Sequence, residues 1–356
     1  MKVGKFMMPL HPPQKNRTQT FEEDIECVLW AEELGFAEAW IGQHHTAMWE
    51  PIPANDVFIA HVLPQTERIR LGTGVTIMTQ HHPANVAVRL AYLDHLSRGR
   101  INVGFGQGGV PTDWPLFDLP DPRTQGLMNL EAMDIVMKLW TEDGPFEFKG
   151  DFWNVTMAER VPELGLGEVL KPYQKPHPPI AMSIVKEESM AATTGGRRGF
   201  LPISINMAPS HKVKRHWEMY REGAAEGGRP EPDRRDWRIS RSICVGETDA
   251  EAREHALNGA FADSLMYLRG MLGTANMLDL PKMDPGMSDA DLNRDYFIDE
   301  IAIVGSPDTV TRRLQELYDV TGGFGTVLMI GHDWDDKAKM KRSMELMAKE
   351  VIPRLP

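Results

Sequence analysis

The stretch AEELGFAEAWIGQHH, residues 31–45, decides the architecture. Its first part closes a helix. Upstream, Thr20 and Glu23 have the spacing of a capping box, and Ile25, Val28 and Leu29 mark one apolar face. Gly35 is a C-terminal stop, because a residue without Cβ enters the left-handed region at little cost. Phe36–Ile41 then reads as a strand, and the polar Gly42-Gln43-His44-His45 follows at once. Helix, strand and polar loop form one unit, and the rest of the chain is read by looking for its repetition.

The unit recurs. Lys2–Met8, Ile69–Ile77, Ile101–Gly106, Pro179–Ser183, Phe200–Ile205, Trp237–Val245 and Gly325–Ile330 read as strands. Helical patterns lie between them, among them Val57–Leu63, Asn85–Leu96 and Gly126–Trp140. Eight strands alternating with helices require crossover connections and therefore parallel pairing. A single (β/α)8 TIM barrel over residues 1–356 is the economical solution; a doubly wound open sheet is the alternative, but no early Gly-x-Gly-x-x-Gly turn supports it. The Pro-rich stretch Val161–Pro179 breaks the pattern, and Leu272–Asn293 is the least regular part. An unpatterned insertion of that length is expected to form a lid near 272–293.

Composition narrows the function. A formal net charge of -12 argues against a nucleic-acid or anionic-membrane surface. No apolar run of about 18 residues occurs and Met1–Leu10 lacks a signal-peptide plan, so a cytoplasmic protein is expected. Cys27 and Cys244 are the only cysteines, which excludes a disulfide scaffold and favours two buried free thiols.

In a barrel, chemistry gathers where strands end. After the second strand stand His44 and His45, proton carriers that titrate near neutrality, weighed against an accidental polar pair. Adjacent residues on an extended segment point to opposite sides, and no His-x-His or His-Glu-x-x-His occurs, so no metal site is expected. After the third strand come Thr79 and His81-His82, with Gly72 and Gly74 inside the strand suggesting close backbone approach. After the fourth come Gly104-Phe105-Gly106-Gln107-Gly108-Gly109 and then Asp113-Trp114, a stretch that lets a flat ring or phosphate approach. Ser183 and Ser189 flank the start of another helix, which suits either a phosphate or simple capping. His332-Asp333-Trp334 follows the last strand.

Taken in order, these blocks resemble the bacterial-luciferase-like flavin monooxygenases. The resemblance is carried by Met1–Phe6 with His11-Pro12-Pro13, by Ala31–Phe36 through Gln43-His44-His45, by Gly72-Thr73-Gly74, by Leu93–Arg100 and by Val304-Gly305-Ser306-Pro307. Trp49-Glu50-Pro51-Ile52-Pro53 with His82-Pro83-Ala84 is similar to the diketocamphane and limonene monooxygenase branch. The resemblance implies His44, His45, His82 and Asp113 as catalytic residues. It implies Gly74 and Val75, joined by a non-prolyl cis peptide, under the flavin ring. It also places Gln107, Met182, Ser183 and Ser189 at the cofactor. Three positions depart from the family: Gln43 replaces an acidic residue, Gly106 a cysteine, and Gln107 a phosphate-contacting arginine.

The resemblance further implies a two-component enzyme. A separate NAD(P)H:flavin reductase would supply FMN as FMNH2, which would react with O2 to a C4a-(hydro)peroxyflavin and oxygenate a small, largely apolar cyclic ketone or terpenoid. A homodimer is implied by the same analogy. The alternatives are an F420-dependent dehydrogenase on the same barrel, a non-catalytic flavin-binding relative, and a metal-dependent barrel hydrolase using the histidines.

Overall fold

The computed structural model describes residues 1–356 and is a closed parallel barrel. Its eight strands are β1 (Lys2–Leu10), β2 (Glu38–Ile41), β3 (Arg70–Thr73), β4 (Ile101–Gly106), β5 (Ile180–Ile184), β6 (Leu201–Ser204), β7 (Arg238–Arg241) and β8 (Thr326–His332). Each pairs with its sequence neighbours, β8 pairs with β1, and β3–β4 completes the ring. All these pairings are parallel, as crossover helices demand. The main helices are α1 (Arg17–Glu33), α2 (Asn55–Val62), α3 (Pro83–Leu96), α4 (Pro122–Thr141), α5 (Met190–Arg198), α6 (Ser210–Glu226), α7 (Asp249–Asn258), α8 (Ala260–Thr274), α9 (Pro307–Thr321) and α10 (Lys337–Leu346). None of the helices is long and apolar enough to cross a membrane.

Side-chain parity separates two cores. Phe6, Trp40, Ala181, Ile203, Leu328 and Ile330 belong to an inner cluster. Their neighbours Met7, Ile41, Met182, Ile239 and Met329 face the helix layer in a larger outer cluster. Trp40 is fully buried and lies opposite Phe6 on one side and Gly72 on the other. A Cβ on Gly72 would fall 2.5 Å from the indole, so the strand glycine exists to seat that ring. The N-terminal end of the barrel is closed by polar pairs: Arg238 to Glu38 at 3.1 Å, and Arg70 donating to Asn102 at 2.9 Å.

Several expected boundaries shift for local reasons. The first helix begins at Arg17, capped by Asn16, whose side chain accepts from the Gln19 amide; Thr20 bonds back to Arg17 O instead of forming a capping box with Glu23. The expected strand Ile69–Ile77 is interrupted at a cis Gly74–Val75 peptide, with Thr76–Ile77 resuming against β4. Trp237–Val245 also divides: Arg238–Arg241 stays in the barrel, while Ile243–Val245 pairs with Ile303–Gly305 outside it. Both cysteines are buried and free. The irregular insertion starts only after α8 ends at Thr274. It is pinned down by Lys212 donating to Asp279 O, Arg269 to Asp289 O and Tyr296 to Pro281 O.

Candidate active site

The C-terminal ends of β2, β3 and β4 bring together most of the residues singled out from the sequence. The loop after β2 carries His44, His45, Trp49 and Glu50. Glu50 is almost fully buried, and its Oε2 lies 3.0 Å from His44 Nε2. The contact is an ion pair by distance but is poorly aligned as a hydrogen bond, so that oxygen keeps an open lone pair. Its other oxygen accepts from the Tyr267 hydroxyl of α8 at 3.0 Å. Trp49 stacks on the Tyr267 ring with centroids 5.2 Å apart, giving a flat apolar wall beside the pair. His44 Nδ1 is buried without a partner. Burial opposes a charged imidazole, but Glu50, by charge and contact, and Asp113 outweigh it, and the His44 pKa is raised.

Asp113 is buried in one turn of helix after β4. It accepts from the Thr46 amide at 2.8 Å, the Thr46 hydroxyl at 2.5 Å and the His45 amide at 3.4 Å. Its job is thus to fix the backbone that follows His44. His45 is half-buried, edge-on to Phe117 and 3.3 Å from Gln43 Nε2. Gln43 also reaches His81 at 3.4 Å. His82, expected among the catalytic residues, is exposed and caps α3 by accepting from the Ala84 amide at 3.3 Å. Its neighbour His81 is the histidine turned towards this loop, and its pKa is lowered by burial and then by Arg89.

Glycines let the ends of β3 and β4 close tightly on each other. A Cβ on Gly104 would meet Thr73 O at 2.3 Å, and one on Gly106 would meet Val75 Cγ2 at 2.6 Å. Asn55 pins this region by donating to Ile41 O at 3.2 Å and to Val75 O at 3.0 Å. Thr79 donates to Gln107 O at 2.9 Å and ties the loops after β3 and β4. Ser183 shares the inward parity of Ala181. Met182 does not: it packs outward beneath α5, where a Cβ on Gly195 would lie 3.9 Å from its own. Ser189 stands at the N-terminus of α5 without making a side-chain cap; Ala192 N donates to Ser189 O at 3.0 Å, which leaves the Met190 and Ala191 amides open to an anion.

A second polar group lies at the same barrel end. His11, just past β1, is held by Asp333 Oδ1 at 2.6 Å and Asp24 Oδ1 at 3.1 Å. Lys15 Nζ contacts Asp333 at 2.6 Å and also Glu23. His11, Glu23 and Asp333 cluster closely enough to hold a metal ion, but the ammonium of Lys15 already lies between the carboxylates. The residues that sequence reading passed over are Tyr267 and Asn55, while His81, His11 and Asp333 stand in quoted segments without an assigned role. Glu50 was visible only as part of Trp49–Pro53, and nothing local links it to Tyr267.

Comparison with known proteins follows the same lines. The family model for luciferase-like monooxygenases matches residues 1–323. The 4-hydroxyprotoasukamycin monooxygenase of Streptomyces nodosus subsp. asukaensis is 32% identical over 99% of this chain and 91% of its own. The limonene 1,2-monooxygenase of Rhodococcus erythropolis is 30% identical over 98% of this chain and 85% of its own. Among solved structures, the oxygenating constituent of Pseudomonas putida 3,6-diketocamphane monooxygenase, a type II Baeyer–Villiger monooxygenase in complex with FMN, superposes with a TM-score of 0.93 at 29% identity, covering 100% of this chain and 99% of that one. With the match running through the strands that carry His44, Gly74 and Gln107, the chain belongs to the luciferase-like monooxygenase family.

Proposed function

We propose that this protein is the oxygenating component of a two-component system that takes FMNH2 from a separate NAD(P)H:flavin reductase and uses O2 on a small, largely apolar substrate of the cyclic ketone or terpenoid class. The observation that carries this reading is a half-buried imidazole, His44, at the C-terminal mouth of the barrel, whose Nδ1 is buried without a partner, flanked by Glu50 and by the Trp49–Tyr267 stack. The stacked wall suits a flat apolar molecule, and the orphaned nitrogen suits a proton exchanged with whatever lies beside it. The kinship with an FMN-bound oxygenase along the whole chain supports the same reading.

Reduced FMN, when bound, supplies the O2-activating and oxygen-transferring chemistry. The chain supplies position and protons. Gly74 and Val75 would underlie the ring, while Ser183, Ser189, the first amides of α5 and Gln107 would hold the phosphate end. His44 would hold or release a proton at Nδ1, with Glu50 beside Nε2. Asp113 keeps the His45–Thr46 backbone in place, and Trp49 with Tyr267 offers the apolar face. Gln107 cannot form the charge-assisted fork that an arginine would, which fits a cofactor that arrives and leaves with each turnover. A homodimer accords with the same kinship.

The test mixes the protein anaerobically with FMNH2, adds O2, and follows the flavin absorbance, with products screened against cyclic ketones and terpenes. A delayed return of oxidised flavin and an oxygenated product are expected. Flavin oxidation at the free rate, with no product, would overturn the proposal. Turnover with F420 in place of FMNH2 would favour the dehydrogenase alternative.

A further inference from the structure

We propose that Glu50 is the positioning residue of His44 and that Tyr267 locks it, so that the helix α8 completes the proton-handling group of a site otherwise built from the loops after β2, β3 and β4. This rests on the reading of His44 given above, but it can be tested without flavin.

Three separate contacts converge on Glu50 and α8. Glu50 is buried, and each of its oxygens faces a different partner, His44 Nε2 and the Tyr267 hydroxyl, both at 3.0 Å. A carboxylate facing Nε2 keeps the proton there and makes Nδ1 the nitrogen that changes state. The Tyr267 hydroxyl donates to the opposite oxygen and stops the carboxyl from swinging. Stacking of Trp49 on Tyr267 fixes the same relationship through the neighbouring residue. Finally, α8 is itself fastened to the barrel. Ser264 donates to Phe261 O at 2.7 Å, so the Nδ1–H of His332 donates to Ser264 Oγ at 2.6 Å. His332 Nε2 then accepts from Ser242 at 3.0 Å, whose oxygen accepts from Asn206 at 2.7 Å. The phenol on α8 therefore arrives at Glu50 from a rigid support.

The charged and titratable groups around His44 are Glu50 from its own loop, Asp113 from the turn after β4, and the Tyr267 phenol from α8, whose own pKa burial and then Glu50 push up. Glu50 is the one in direct contact with the ring. Its removal should be felt most.

The experiment is a histidine NMR titration of the flavin-free protein, comparing wild type with Glu50→Gln and Tyr267→Phe. In wild type, His44 is expected to titrate above the ordinary histidine range and, once neutral, to carry its proton on Nε2. Glu50→Gln should lower that midpoint by about 1–2 pH units. Tyr267→Phe should leave the protein folded and give a mixture of Nε2–H and Nδ1–H tautomers. The remaining histidine signals serve as the folding control, and if Glu50→Gln does not fold, the Tyr267→Phe tautomer ratio decides. An unchanged His44 midpoint in a folded Glu50→Gln protein, or a single unchanged tautomer in Tyr267→Phe, would overturn the proposal whatever the flavin experiments give. Failure of oxygenation with the expected titration would overturn the functional reading alone.

Discussion

Gly72 lies against the indole of Trp40 so closely that a Cβ would sit 2.5 Å from Trp40 Cε3. The ring is fully buried within the barrel and its neighbours are strands, which cannot retreat. Gly72→Ala should therefore destabilise by roughly 1–3 kcal/mol, the usual cost of overpacking a core. Urea unfolding would measure it. An unchanged midpoint would mean that Trp40 has another place to go.

Asp113 holds two backbone amides and one hydroxyl of the loop that carries His44 and His45. Asp113→Ala orphans those donors. A stability loss of roughly 1–3 kcal/mol is expected. Because the loop positions His44, product formed per FMNH2 oxidised should fall as well. Stability lost with coupling intact would separate the anchor from the chemistry.

His11 is raised to about 9: burial opposes the charge, but hydrogen bonds and charge from Asp24 and Asp333 prevail. A histidine raised on folding stabilises most below its unfolded pKa of about 6.5 and loses that contribution as pH climbs through the folded value. His11, charged and paired with Asp24 and Asp333, should then stabilise the fold clearly at pH 6 and contribute little above about pH 9.5. Denaturant melts of wild type and His11→Gln at the two pH values should show a large gap at the lower one and a small gap at the higher. Equal gaps would refute the assignment.

His332 is pushed the other way, to about 3, by burial and then by Lys5. A histidine lowered on folding favours the native state above about 6.5 and costs stability as pH falls below it. His332→Gln should flatten the acid side of the stability profile between pH 6.5 and 4. It should also loosen α8, which limited proteolysis after Arg269 would detect. A variant that melts like wild type at both pH values would argue against the Ser264–His332–Ser242 chain.

The side chain of Gln107, at the end of β4, makes a single long hydrogen bond, to Pro122 O at 3.5 Å. Gln107→Arg would offer a guanidinium to a phosphate. Binding of FMN, read by fluorescence quenching, should tighten by about tenfold, near 1.4 kcal/mol. No tightening would place the phosphate elsewhere than beside Gln107.

What the sequence determined by itself was whatever repeats over short distances. Apolar spacing told helices from strands, and eight alternations between them left a parallel barrel as the compact solution. The resemblance then pointed to the strand ends, where Asp113 holds the His45–Thr46 backbone that follows His44. Local pattern failed where two registers compete. Whether His81 or His82 faces the loop after β2 depends on which residue caps α3, and Met182 and Ser183 part company by the parity of one strand. The pairing of Glu50 with Tyr267 was beyond any local pattern, because 217 residues separate them. Only closure of the barrel, with α8 latched to His332, brings that phenol to that carboxylate: burial and hydrogen bonding are settled by neighbours in space, and those neighbours exist only once the whole chain has folded.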